Sequence, residues 1–289
     1  MTPIIRAVLS DIDDTIKPHG GPIDPRTRAV LQGLRALGIP VGVATGKNAD
    51  YACGLAEGSG LHWSFICAES GAHFRELEAE GPPPVWKVHE SSGAGMADLV
   101  QFRDSIGLDP LHRRFCLRRR ENIVPYMPEL KDGILTLLPP DSDFGQTAAW
   151  ATFFEEVIKV HDLRLVVKRH KANGSIDIVP AGIHKGLGVD AVCRILGCKP
   201  KEVLTIADGE NDDELVAGTT AVAVGNAIPR IRESVRRNGG YLARGTYGEG
   251  FVEGIAYVAR NGLFGDKSGE VLHLVSESFP ELAPAHAEG

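Results

Sequence analysis

Hydrophobic positions along the chain fall into short unbroken runs separated by stretches of helical spacing. The first run, Ile4-Ile5-Arg6-Ala7-Val8-Leu9-Ser10, stops abruptly at Asp11-Ile12-Asp13-Asp14-Thr15. A short aliphatic run of this kind predicts a strand buried on both faces, as in a parallel sheet. Asp24-Pro25 then reads as an N-cap followed by proline in the first helical turn, with Val30, Leu31, Leu34 and Leu37 at helical spacing and Gly38 as the stop. Ile39 to Ala44 is a second strand, ending in Thr45-Gly46-Lys47-Asn48. Asn48 caps a helix to about Gly58, and Ser64 to Ala68 is a third strand, ending in Glu69-Ser70-Gly71-Ala72. Strand, helix, strand at this spacing predicts βαβ units.

The texture changes at Gly81-Pro82-Pro83-Pro84, a hinge-like composition typical of a domain boundary. Beyond it the pattern predicts a helix over Ala94 to Ile106, strands over Arg113 to Arg120 and Gly133 to Leu138, and a helix over Thr147 to His161. Two strands of period 2 follow, Leu163 to Arg169 and Gly174 to Val179. Helices mixed with strand pairs predict a compact α+β unit. Alternation then resumes. A helix runs from His184-Lys185-Gly186 to Leu196 with Gly197 as its stop, and the strand Val203 to Ala207 ends in Asp208-Gly209-Glu210-Asn211-Asp212-Asp213-Glu214. A helix, the strand Ala221 to Val224, the turn Gly225-Asn226, a helix from Ile228, an edge strand at Gly239 to Ala243 and a helix from Gly248 to Arg260 complete the pattern. The last dozen residues read as a loose tail. The α+β unit therefore reads as an insertion: residues 1–80 and 181–289 form an α/β domain with a Rossmann-like parallel sheet, and residues 81–180 form the inserted domain.

Composition narrows the classes. At 289 residues, 43% hydrophobic and 24% charged, the chain has the make-up of an ordinary globular protein. A net charge of −7 disfavours nucleic acid as a partner. No run approaches a membrane span and no signal-peptide pattern is seen, so the expected location is the cytoplasm. Five scattered cysteines without a C-x-x-C pair predict free thiols, most of them buried, and no zinc site.

Chemistry gathers at the strand ends, where an open α/β sheet places its ligands. The first strand delivers Asp11 and Asp13, the second Thr45 and Gly46, the fourth Asp208, Asn211 and Asp212, and a helix start delivers Lys185. Clustered carboxylates repel one another unless a cation neutralises them or one holds a proton, so the first loop predicts a hard divalent metal or a titrating pair. A hydroxyl, a permissive glycine and a lysine suit an anion. Lys185 alone would read as a solvent-facing residue of a first helical turn; beside carboxylates and a phosphate it reads as a fixed cation. The basic run Arg113, Arg114, Arg118, Arg119 and Arg120 reads as a solvated face, and His19, His170 and His184 receive no role.

In this order the motifs resemble those of the haloacid dehalogenase (HAD) superfamily: D-x-D-x-T as Asp11 to Thr15, the strand-end Thr45, the lone Lys185, and D-x-x-N-D as Asp208 to Asp212. The inserted segment resembles the large α+β cap of the Cof-like subgroup, which includes sugar phosphatases, phosphomannomutase and an archaeal-type phosphoglycolate phosphatase. The resemblance implies a Mg²⁺-dependent phosphomonoesterase acting on a small phosphorylated metabolite. Asp11 would be the nucleophile that forms an aspartyl phosphate, and Asp13 the general acid and base. The Asp11 carboxylate, the Asp13 carbonyl and Asp208 would hold the metal, with Asp212 behind them. Thr45, Gly46, Lys185 and Asn211 would hold the phosphate. A sugar phosphomutase is the alternative, followed by a ligand-binding protein without turnover; monomer and dimer are both open. Asp14 stands where glycine is common in this loop.

Overall fold

A computed structural model of the chain describes residues 3–81, 84–89, 95–107, 115–119, 122–129, 131–138, 147–170 and 174–282, with the side chains of 115–119 and 122–129 outside the description. The chain divides into two compact units, 1–89 with 184–289, and 90–183.

The larger unit begins with β1 (Ala7–Ser10), a strand with every residue buried. Helix α1 (Pro25–Ala36) follows, its first turn fixed by the Asp24 carboxylate accepting from the Arg26 amide. Next come β2 (Val41–Ala44), α2 (Ala49–Ser59), β3 (Phe65–Ala68), β4 (His73–Ala79) and β5 (Val85–His89). In the smaller unit lie α3 (Met96–Ser105), β6 (Phe115–Arg119), β7 (Asn122–Glu129), β8 (Leu135–Leu138), α4 (Thr147–Val160), β9 (Leu165–Arg169) and β10 (Ile176–Pro180). The larger unit resumes with α5 (Gly186–Leu196), β11 (Val203–Ala207), α6 (Asp213–Val216), β12 (Thr220–Ala223), α7 (Pro229–Arg237), β13 (Tyr241–Leu242), α8 (Tyr247–Arg260) and α9 (Ser268–Ser278).

Its sheet has eight strands in the order β13-β12-β11-β1-β2-β3-β4-β5. The first six are mutually parallel and β4 and β5 add antiparallel pairs at one edge. The expectation of an α/β fold with a mainly parallel sheet is met. Central strands β1, β2 and β11 are fully buried and mostly Val, Leu, Ile and Ala, with only Ser10, Gly42 and Thr205 besides, because helices cover both their faces and leave no position wet. Register matters most in the middle: Ser10 stands opposite Ile206 on one side and Val43 on the other. The residues that follow, Asp11, Asp208 and Thr45, therefore leave the sheet at the same edge.

Some expectations need correction. The division of the chain falls after His89 and not at the Pro-rich stretch, because β5 lies beyond it and pairs with β4 in the larger sheet. The pattern also missed β4, β5, β7 and α9. β4 reads His-Phe-Arg-Glu-Leu-Glu-Ala, rich in helix formers; antiparallel pairing with β3 overrides that local preference. In α9 only Val271 and Val275 are buried, a stripe too narrow to read as amphipathic. Of the four described cysteines, all free, only Cys67 is buried; Cys53, Cys193 and Cys198 are half-exposed, because they sit on or beside helices and not in the sheet.

The smaller unit is a five-stranded antiparallel sheet, β6-β7-β8-β10-β9. One face packs Leu135, Leu137, Ile176 and Ile178 against Leu99 and Phe102 of α3 and Trp150 and Phe154 of α4. Alternation sends Thr136 and Asp177 to the other face, where Asp177 accepts from Thr136 and contacts His170 at 2.7 Å. The arginine run at 113–120 lies outside the described side chains. Among the described residues no helix is long and apolar enough to cross a membrane.

Candidate active site

Three parallel strands end in a row, and the loops that leave them carry the chemistry. The Asp11 amide still donates to the Ile206 carbonyl at 3.0 Å, so Asp11 extends the ladder by one residue beyond β1. From β11, Asp208 turns into a short helical turn at Glu210–Asp212. Asp212 closes this loop on itself: Oδ2 accepts from the Gly209 amide at 2.9 Å and the Asp208 amide at 3.2 Å. Thr15, fully buried, donates to Asp208 Oδ1 at 2.7 Å and ties the first loop to the last.

Lys185 enters from the start of α5. Two glycines allow the approach: a methyl group at Gly71 would meet the His184 carbonyl at 2.2 Å, and one at Gly188 would meet Cys67 at 2.8 Å. The helix thus lies hard against β3 and its turn, which drives the Lys185 side chain inward to 1% exposure. Nζ reaches Asp11 Oδ1 at 2.9 Å and donates to Asp212 Oδ1 at 2.7 Å. Burial alone would lower the Lys185 pKa, but the charges of Asp11 and Asp212 outweigh it and hold the ammonium well above its ordinary value.

One lysine is outnumbered. Asp11, Asp208 and Asp212 bring carboxylate oxygens within 4.8 Å of one another. Desolvation, with repulsion from Asp212, pushes Asp11 up to about 7 against the pull of Lys185. Desolvation and repulsion from Asp11 and Asp212 push Asp208 up to about 8. An all-oxygen cluster with surplus negative charge that stays partly protonated at neutral pH fits a hard divalent cation, which would release those protons on binding.

A set of polar groups of the kind that suits an anion lies beside the cluster. Thr45 is buried, and its hydroxyl accepts from the Lys47 amide at 3.1 Å, which folds the chain back at Gly46. A methyl group at Gly46 would stand 3.6 Å from Asn211 Nδ2 and 3.7 Å from Ser70 Oγ, so two polar tips face that backbone. Ser70 belongs to a run of left-handed residues, Glu69, Ser70 and Gly71, at φ 50°, 57° and 107°. Two amides hold this strained run, Glu69 to the Lys47 carbonyl at 2.8 Å and Ser70 to the Thr45 carbonyl at 2.9 Å. Non-glycine residues in this region cost about 1–3 kcal/mol each and gather at functional sites. Ser70 is 4% exposed, and among the described residues its hydroxyl makes no hydrogen bond.

Asp13 lies one turn beyond Asp11, paired through a single backbone bridge with Lys17. Lys17 is 2% exposed, and its Nζ donates to Asp13 Oδ1 at 2.5 Å. Burial pulls its pKa down, but the hydrogen bond and charge of Asp13 reverse this, and the net shift is upward. The bridge requires Asp14 at φ 61°, which explains why glycine suits the position and why aspartate, tolerant of this region, also serves. The Asp14 carboxylate accepts from the His19 amide, and its carbonyl accepts from Asn226 Nδ2 at 2.7 Å.

The structure thus places Asp11, Asp13, Thr45, Gly46, Lys185, Asp208, Asn211 and Asp212 at one end of the larger unit's sheet. Sequence reading gave no role to Thr15, Lys17, Ser70 or Asn226. Lys17 follows an apolar residue in a loop and carries no periodicity; its spacing of four from Asp13 is the one available hint. Ser70 lacked any signal besides its place at a strand end.

Comparison with known proteins agrees with this picture. Residues 142–237 match the family model described as haloacid dehalogenase-like hydrolase. A phosphoglycolate phosphatase from Methanosarcina acetivorans is 25% identical over 260 residues, covering 89% of this chain and 98% of its own length. Among solved structures, the sucrose-phosphatase of Synechocystis, in complex with sucrose and phosphate, aligns over 88% of this chain and 98% of its own, with a TM-score of 0.60 at 16% identity. A protein from Bacteroides thetaiotaomicron, described among phosphatases of the HAD superfamily, aligns over 90% and 96% with a TM-score of 0.61 at 17% identity. The structural likenesses show the fold, and the resemblance carried by the motifs is borne out.

Proposed function

We propose that the chain is a Mg²⁺-dependent phosphatase of the HAD type, hydrolysing a small phosphorylated metabolite such as phosphoglycolate or a sugar phosphate. The observation that carries the reading is the meeting of Asp11, Asp208 and Asp212 around the buried Lys185, next to a set of polar groups at Gly46 that suits an anion. The likeness to phosphoglycolate phosphatases over nearly the whole chain supports the substrate class.

In this reading Asp11 Oδ attacks phosphorus, forming an aspartyl phosphate while the ester oxygen departs with the bonding pair. Asp13 enters as the carboxylic acid and gives its proton to that oxygen. Its carboxylate then takes a proton from water as the water oxygen bonds phosphorus and Asp11 is released, which restores both groups. Lys185, the Thr45 hydroxyl, the Gly46 amide, Asn211 and the unpartnered Ser70 hydroxyl hold the phosphate oxygens and meet the charge that builds on them. The Asp11 and Asp208 carboxylates and the Asp13 carbonyl would hold Mg²⁺, with Asp212 behind them; the ion supplies electrostatic stabilisation of the transferring phosphoryl group. The free thiols of the described cysteines support a reducing cytoplasmic setting.

A panel of phosphate esters incubated with Mg²⁺ tests the reading through free phosphate. Stoichiometric release from a small ester is expected. Isomerised sugar phosphate with little free phosphate would mark a mutase instead, and no turnover of any ester would overturn the enzymatic reading.

A further inference from the structure

Asp13 has two carboxylate oxygens, and the protein uses them unequally. Lys17 Nζ at 2.5 Å and the Tyr51 hydroxyl at 3.4 Å both donate to Oδ1. Among the described residues no hydrogen bond falls on Oδ2. The holding groups are themselves well fixed. Lys17 is 2% exposed, its carbonyl accepts from the Asp14 amide at 2.7 Å, and its ammonium sits 5.9 Å from the centre of the Tyr51 ring. Tyr51 belongs to the first turn of α2, where its amide donates to the Asn48 N-cap at 2.8 Å. Two elements that flank that polar set thus converge on one oxygen of one carboxyl group.

A lysine buried this completely is costly in solvation, and two neutral residues would seal the same loop at less expense. We propose that Lys17, assisted by Tyr51, is a positioning residue for the reaction: it anchors Asp13 through Oδ1, so that Oδ2 is the oxygen that exchanges a proton with the ester oxygen and then with water. The inference rests on the phosphatase reading above and deepens it. The anchor persists through the cycle. When Oδ2 carries the proton, Oδ1 is a carbonyl oxygen that still accepts from the ammonium. When the proton has moved to the leaving oxygen, Oδ1 and Oδ2 share the charge and the contact strengthens. Misplacement of a catalytic group by about 1 Å can cost about 10²-fold, so an anchor on the non-reacting oxygen has a measurable effect.

The test uses the full chain with Mg²⁺ and two probes, p-nitrophenyl phosphate and glycerol phosphate. The first has a leaving group that departs without a proton; the second has an alkoxide that requires one. The measured quantity is kcat/KM, which covers only the steps through cleavage of the ester bond and leaves out the water half-reaction. Lys17→Met is expected to lower kcat/KM for glycerol phosphate at least about 10-fold more than for p-nitrophenyl phosphate, within the range of a general-acid contribution. Introduced into Asp13→Asn, the same substitution is expected to change neither value further, because the group it acts through is gone. Lys17→Gln, one atom too short to reach Oδ1 but polar at its tip, should show the same selectivity and serves if the methionine variant fails to fold. Equal losses for the two esters, or losses that multiply with Asp13→Asn, would assign Lys17 to folding alone and overturn the inference. A wild-type chain that hydrolyses neither these two esters nor any other of the phosphate-ester panel would instead sink the phosphatase reading itself.

Discussion

Replacing Lys185 with methionine tests the electrostatics of the site directly, because the new side chain fills nearly the same volume and removes only the charge. The ammonium has two carboxylate partners, at 2.9 and 2.7 Å, and is 1% exposed. Taking away one partner of a buried ion pair costs about 3–5 kcal/mol, chiefly through the charge left behind. Three clustered acids would then face one another without a fixed cation. They can escape by binding protons, so the cost depends on pH. Asp11 and Asp208 already titrate near 7 and 8, above the unfolded value of 3.8. An acid with a raised folded pKa binds more protons folded than unfolded, so stability falls as pH rises through the window from about 4 to about 8. Loss of Lys185 pushes both groups higher and deepens that fall. The lysine itself, held above its ordinary 10.5, stays charged throughout this window and adds no slope of its own.

Urea titrations at pH 5 and pH 8, without divalent cations, would measure the effect. Fluorescence of Trp63 and Trp86 in a Trp150→Phe background confines the signal to the larger unit. Lys185→Met should lose several kcal/mol at pH 8 and markedly less at pH 5. A loss below about 1 kcal/mol at pH 8, the scale of an exposed pair, would refute the reasoning, as would a loss of equal size at both pH values.

Four further outcomes follow from the same geometry. Asp11→Asn should abolish turnover with the circular dichroism spectrum unchanged; retained wild-type rates would remove Asp11 as nucleophile. Asp13→Ala should lower activity on an alkyl phosphate by about 10²-fold or more, as judged by phosphate release. In chelator the melting temperature should fall from pH 5 to pH 8, and Mg²⁺ should raise it more at pH 8, where fewer protons compete for Asp11 and Asp208. At φ 61°, Asp14→Gly should stay within about 1 kcal/mol of wild type and remain active, whereas the β-branched Asp14→Val should lose about 2 kcal/mol in the same urea assay.

Much of the larger unit was legible because its strands are buried on both faces and so contain almost nothing but aliphatic residues. The loops were legible for the opposite reason: an acid or hydroxyl directly after such a run has nowhere to go except the sheet edge. Asp11, Thr45 and Asp208 were found this way, and Lys185 by its place before a helix. β4 and β5 were not, since these outer antiparallel strands are only partly buried, carry Arg, Glu and Lys freely and show no aliphatic run. Lys17 and Ser70 escaped because their importance lies in contacts set by backbone shape, a single bridge in one case and a left-handed run in the other. Neither shape has a marker in residue type, since Asp14, Glu69 and Ser70 occupy conformations that glycine would advertise.

The central position of β1 bears on how the protein is made. One neighbour, β2, follows it closely, but the other, β11, is reached only across an interval such as the 196 residues between Ser10 and Ile206. At about 5–20 residues per second, a ribosome needs roughly 10–40 s to cover that interval. Throughout that time the nascent N-terminal strands present one open apolar border, the kind of surface that chaperones recognise and that aggregation exploits. Translation halted anywhere before β11 leaves the sheet cut through its middle, so the N-terminal segment gains its stability only when the far segment arrives.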